Sequence, residues 1–163
     1  MLSFLDRLYG FIKTPAIKKI AFIDGDQELP GLLKAYDMYV ANTGTQTHLI
    51  RLQDTGAGEP KVLKRLNDES VNKIYLSGYT SGKEVVDKFI AGFIQKSIAE
   101  GYQHITVISS DYDFIDIFRT AVEIEPAAAA VTFRMIVPCP MGRMKQTAAQ
   151  IANIEVIKMT KGK

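Results

Sequence analysis

The run Ile105-Thr106-Val107-Ile108 is apolar or β-branched at every position, so a strand built from it must be covered on both faces. It stops abruptly, and Ser109-Ser110-Asp111-Tyr112-Asp113-Phe114 then delivers two aspartates separated by one residue. A similar run, Lys19-Ile20-Ala21-Phe22-Ile23, stops at Asp24-Gly25-Asp26. Doubly covered strands belong to parallel sheets, whose carboxyl ends share one edge and open on a crevice. The two aspartate pairs are expected to meet there.

The rest of the chain keeps the same rhythm. Pro30-Gly31 opens a helix-like stretch over residues 32–40, and residues 47–52 alternate as a second strand. Asp54 to Pro60 reads as a loop, residues 61–66 as a short basic helix or turn, and residues 71–76 as a third strand. Val86, Phe89, Ile90, Phe93, Ile94 and Ile98 recur at helical spacing and end at a glycine stop, Gly101. After the strand at 105–108 come a helical stretch at 115–122, a strand at 131–137, a last helix at 145–152 and an apolar tail at 154–159. Strands alternating with helices predict a three-layer α/β/α sandwich around a mostly parallel central sheet.

At 163 residues and 47% hydrophobic, the chain can bury the core of one domain, read here as residues 16–163. Residues 1–15 precede it as an amphipathic segment suited to covering the domain or a partner subunit, and no run approaches membrane-spanning length. A formal charge of +2 is too balanced to announce a polyanion partner by itself. One cysteine, Cys139, rules out an internal disulfide, and with only His48 and His104 beside it a Cys/His zinc cluster is implausible. A reducing, cytoplasmic compartment is the expectation.

Lys83 and Asp87 add to the crevice, because four-residue spacing at the start of the long helix puts them on one face near the same edge. Each residue also has a plain structural use: Asp26 and Asp113 as helix caps or turn formers, Lys83 and Asp87 as a surface ion pair. Taken together, carboxylates packed this closely repel and raise one another's pKa unless a cation neutralises them. With oxygen ligands only, Mg²⁺ or Mn²⁺ fits that site, and zinc or copper does not.

Three blocks, Ala21-Phe22-Ile23-Asp24-Gly25-Asp26-Gln27, Ser81-Gly82-Lys83-Glu84-Val85-Val86-Asp87 and Ile108-Ser109-Ser110-Asp111-Tyr112-Asp113-Phe114, together resemble the NYN branch of the PIN-like nuclease superfamily. The resemblance covers roughly residues 18–160. It implies a PIN-like sheet and metal-dependent hydrolysis of RNA phosphodiester bonds, with Asp24, Asp87 and Asp111 as the principal metal cluster, Asp113 as a fourth acid and Lys83 facing the phosphate. Gln27 stands where the family has Asn, and Ser110 where it has glycine; both, with Tyr112, are expected on the substrate side. The implied substrate is RNA, single-stranded or structured, with DNA left open; a homodimer or larger assembly is also implied.

A metal-centred acidic pocket needs basic groups at its rim to hold a polyanion. Lys61, Lys64, Arg65, Lys83, Lys88, Arg143 and Lys145 are candidates, with Tyr79 and Tyr112 as rings able to stack on a base. Asp24-Gly25-Asp26 also resembles the nucleophile motif of haloacid-dehalogenase-type phosphatases, but Glu28 stands where that motif has a small hydroxylic residue. Gly78 to Glu84 lacks both the spacing and the magnesium-binding hydroxyl of a P-loop. Neither histidine has a nucleophile elbow near it. The serious rival is a PIN-like module that binds RNA or protein without cutting.

Overall fold

A computed structural model describes residues 17–26, 29–52, 61, 63–66, 70–77, 85–111, 113–138 and 153–159. The amphipathic segment 1–15, the predicted helix at 145–152 and Cys139 lie outside the described residues. The described chain is an α/β sandwich: β1 (Lys19–Asp24), α1 (Leu29–Tyr39), β2 (Gln46–Leu52), a 3₁₀ turn (Leu63–Arg65), β3 (Val71–Leu76), α2 (Val85–Ala99), β4 (His104–Ile108), α3 (Asp113–Ile124), a second 3₁₀ turn (Pro126–Ala130), β5 (Thr132–Val137) and β6 (Ile154–Lys158).

All five strand pairings are parallel, and the sheet order is β3-β2-β1-β4-β5-β6. The chain steps from β1 outward to β2 and β3, returns through α2 to β4 beside β1, and then steps outward the other way. Strand order therefore reverses between β1 and β4. In doubly wound sheets the crevice at such a reversal, outside the carboxyl ends, is where ligands bind.

Alternation along the strands sorts side chains into two cores. Ile20 and Phe22 of β1, with Ile105 and Val107 of β4, pack under α2 and α3. Ala21 and Ile23 pack with Leu49 and Ile108 against Leu32, Leu33 and Tyr36 of α1. This is the two-sided covering that the unbroken apolar runs demanded. Asp24, two residues beyond Phe22, thus falls on the α2 and α3 side.

Helix ends follow local chemistry. Pro30 and Gly31 lie inside the first turn of α1, where a missing proline N–H costs no intrahelical bond. Gly101, at φ 84°, closes α2 as anticipated, with Tyr102 N–H donating to Ser97 O at 3.0 Å. The Lys18 ammonium donates to the Glu100 carbonyl at 3.1 Å, satisfying another end group of α2.

The tail at 154–159 is a correction: most of it is a sixth strand. Phe133 N–H donates to Asn153 O at 2.8 Å, and Arg134 Nε donates to its register partner Glu155 at 3.3 Å. Such a short edge strand has too few residues for its alternation to stand out, and its partner lies some twenty residues back. No described helix is long and apolar enough to cross a membrane.

Candidate active site: an aspartate cluster at the strand reversal

Asp24 is the last residue of β1, and its carboxyl is buried with the residue 4% exposed. The register pairs Ile23 with Ile108, so the next rung sets Asp24 opposite Ser109 across the reversal. Ser109 is fully buried, and its hydroxyl donates to Asp24 Oδ2 at 3.0 Å. The same hydroxyl oxygen accepts the Asp111 N–H at 3.0 Å. One serine thereby ties the end of β1 to the loop after β4.

Asp111 turns back on that loop, and its Oδ1 accepts the Asp113 N–H at 2.9 Å. This satisfies one of the orphan donors at the start of α3. Asp113 opens the helix and is exposed, while Phe114 beside it is buried in the core and fixes where the helix begins.

The third acid arrives from a different crossover. Asp87 sits in the first turn of α2, where the positive end of the helix favours a carboxylate. Its carboxyl is within hydrogen-bonding reach of Asp111 and feels the charges of Asp24, Asp111 and Asp113. Residues 24, 87 and 111 are thus gathered from three separate stretches of sequence.

The electrostatics follow from that gathering. Burial, reinforced by the charges of Asp26 and Asp111, pushes Asp24 up to about 6, although the Ser109 hydroxyl and the Asp26 N–H pull it down. Burial, the hydrogen bond with Asp111 and the surrounding aspartates push Asp87 up to about 7. Asp113 is also raised, chiefly by the charge of Asp111. Protonation of Asp87 near neutral pH relieves part of the repulsion.

The donors offered are oxygens only, which suits a hard divalent cation and not a soft one. Asp24, Asp87 and Asp111 are the residues able to hold it, with Asp113 at the rim. Among the described residues, however, no three His, Cys, Asp or Glu side chains stand close enough to enclose an ion as they are oriented. Asp24 is turned to Ser109 and Asp111 to the Asp113 N–H, so a cation would have to reorient these carboxylates.

The Asp26 N–H bonds the Asp24 carboxylate, while the Asp26 side chain turns to β2, its Oδ1 accepting the Leu52 N–H at 3.1 Å. Ser110 is half-buried beside the buried Ser109, whose hydroxyl bonds Asp24. Sequence reasoning passed over Ser109; counting strand alternation onward from Ile105 and Val107 puts it on the same side as Asp24. Gln27, Tyr79, Lys83, Tyr112, Arg143 and Lys145 lie outside the described residues. Lys61 and Lys64 are exposed near the first 3₁₀ turn; Lys88 is exposed on α2, where it lines a shallow hollow with Phe89, Phe93 and Lys96.

His48 is half-buried in the interior strand β2 beside Phe22 and Phe93, with ring centroids 5.9 Å and 6.4 Å away. Its ring nitrogens meet the side-chain amides of Gln46 and Asn72, and no nucleophile is among these partners.

No family model matches the chain, and no curated protein matches it in sequence. Its structure is similar to the crystal structure of a protein of unknown function from Vibrio parahaemolyticus, with a TM-score of 0.57 and 12% identity over 89% of this chain and 96% of that one. At that identity the likeness speaks for the fold.

Proposed function

We propose that this chain is a divalent-metal-dependent ribonuclease of the NYN, PIN-like kind, cutting RNA phosphodiester bonds at the crevice between β1 and β4. The observation that carries the reading is the convergence of Asp24, Asp87 and Asp111, two of them titrating near neutral pH, at the strand reversal. Carboxyls held at such a cost to stability are characteristic of sites that bind cations or move protons.

In this reading Asp24, Asp87 and Asp111 hold Mg²⁺ or Mn²⁺, and Asp113 supplies further negative charge at the rim. The bound ion supplies Lewis acidity, offsetting charge that builds on a phosphodiester oxygen. Ser109 keeps Asp24 and the Asp111 loop at fixed separation. The elevation of Asp87 to about 7 belongs to the metal-free cluster, and a bound cation would draw its carboxyl back to the ionised form as a ligand. Lys83 is assigned to the scissile phosphate, and Gln27, Ser110 and Tyr112 to the substrate strand. The single Cys139 and the oxygen-only site are compatible with a cytoplasmic enzyme.

A second reading, a PIN-like module that binds RNA or protein without cutting, is favoured by one observation: no three described acids are oriented around a common point. Digestion of single-stranded RNA with added Mn²⁺, with Asp111→Asn as control, separates the two. Cleavage by the wild type and its loss in the variant support the nuclease. Equal residual activity in both favours the binding module.

A further inference from the structure

Backbone pairing between β1 and β2 runs to Asp24 opposite Ile50, after which the chain must leave the sheet to begin α1. It does not peel away at once. Gly25 N–H donates to Ile50 O at 2.8 Å, Arg51 Nη1 donates to Gly25 O at 3.0 Å, and Leu52 N–H donates to Asp26 Oδ1 at 3.1 Å. Both peptide groups of Gly25 are therefore tied to β2, and the side chain of Asp26 provides one more rung in place of the backbone. A Cβ on Gly25 would lie 2.8 Å from Ile50 O and 2.8 Å from Leu49 Cδ2, so the approach requires glycine.

Arg51 is a basic residue at the carboxyl edge, and the first expectation for such a residue is phosphate binding. Strand alternation argues otherwise. Leu49 packs in the α1-side core and Ile50 in the opposite one, so Arg51 leaves β2 on the α1 side. Asp24 leaves β1 on the other side. The guanidinium reaches the loop from behind, at the Gly25 carbonyl.

We propose that Arg51 and Asp26 are positioning residues: they clamp the Asp24-Gly25-Asp26 turn onto the end of β2 and so hold the Asp24 carboxyl in place for the cation. The proposal rests on the metal-nuclease reading above for its consequence, and on the three hydrogen bonds for its structure. It assigns Asp26 to the loop's architecture and leaves the cation to the other acids.

The test uses the full chain with Arg51→Met, Arg51→Lys, Asp26→Ala and Asp26→Asn. Three quantities are read: Mn²⁺ affinity by calorimetry, kcat and KM on single-stranded RNA, and hydrogen exchange of the Gly25 amide by NMR. Arg51→Met and Asp26→Ala should each weaken Mn²⁺ binding and lower kcat by about tenfold, with KM within about twofold, the change expected from losing one hydrogen bond that acts through a neighbour. Arg51→Lys and Asp26→Asn, which keep a donor and an acceptor at the same places, should recover most of the loss. The Gly25 amide should exchange at least about tenfold faster in the two disruptive variants.

Unchanged Mn²⁺ affinity and kcat in both disruptive variants would overturn the clamp. So would a raised KM with reduced salt dependence and intact kcat in Arg51→Met, the signature of a direct phosphate contact. Should Arg51→Met fail to fold, Asp26→Ala carries the same readouts. If the wild type neither binds Mn²⁺ nor cleaves, the nuclease reading falls, and Gly25 exchange alone decides the clamp: faster supports it, unchanged refutes it.

Discussion

Two loops of this protein carry the same three-residue pattern, Asp24-Gly25-Asp26 after β1 and Asp111-Tyr112-Asp113 after β4, yet the folded chain uses them in opposite ways. In the first loop the leading aspartate is buried and raised to about 6, and the trailing one is spent on the Leu52 N–H. In the second the leading aspartate bonds its own loop and neighbours Asp87, and the trailing one stands in solvent at a helix start. The neighbouring element makes the difference. After β1 the chain stays zipped to an adjacent strand, whose backbone donor captures the second acid; after β4 it turns straight into a helix, whose free N–H groups capture the first. Identical spacing thus yields one buried carboxyl and one capping carboxyl, with Ser109 bonded to both loops.

If the leading aspartate of each loop serves the cation, the largest effects belong there. Asp24→Asn and Asp111→Asn should each lower Mn²⁺-dependent RNA cleavage by about a thousandfold or more, since each removes a charge that the metal requires. Asp24→Asn should at the same time stabilise the metal-free protein at pH 7.5 by about 1–3 kcal/mol in denaturant unfolding, because the neutral amide avoids burying a charge. A loss of stability in that variant would mean that the ionised Asp24 carboxylate supports the fold rather than straining it.

The pH dependence follows with a definite sign. Asp24 and Asp87 rise from 3.8 in the open chain to about 6 and about 7 in the folded one, so between these values the folded protein binds more protons than the unfolded. Their contribution to stability is complete below pH 3.8 and is lost as pH climbs to about 7. Thermal melts of the metal-free protein across this range should show that decline, and saturating Mn²⁺ should reverse it above pH 7. The second loop, with its exposed Asp113, has no comparable burial to report.

Ser109→Ala tests the link between the loops. Removing the hydroxyl deletes one bond to Asp24 and one to the Asp111 N–H, and should cost about 1–2 kcal/mol in chemical denaturation. Cleavage should fall by about tenfold, because both leading aspartates lose their spacer. The smallest effect is expected at the rim: Asp113→Asn should reduce cleavage only about two- to fivefold in the same assay, since an exposed charge is well screened. A loss as large as that of Asp111→Asn would make the two acids of the second loop equal partners.

Much of this arrangement was legible in the sequence. Unbroken apolar or β-branched runs at 20–23 and 105–108 dictated strands covered on both faces, and helical spacing from Val86 to Ile98 dictated the crossover between the sheet's two halves. Parallel strands then put Asp24, Asp87 and Asp111 on one edge. What sequence did not reveal depends on register. Ser109 reads as one of two serines until β1 and β4 are aligned, and Arg51 reads as an ordinary surface base until Gly25 is found against β2. β6 was missed because its pairing with β5 is a tertiary fact that five residues do not announce.

The most direct test is crystallographic. Crystals soaked in Mn²⁺ and measured at its absorption edge should show anomalous density bounded by the carboxylates of Asp24, Asp87 and Asp111, with Asp24 and Asp111 turned toward the ion. Absence of such density at saturating Mn²⁺, with the aspartates left turned to Ser109 and the Asp113 N–H, would contradict a metal-dependent site at the strand reversal.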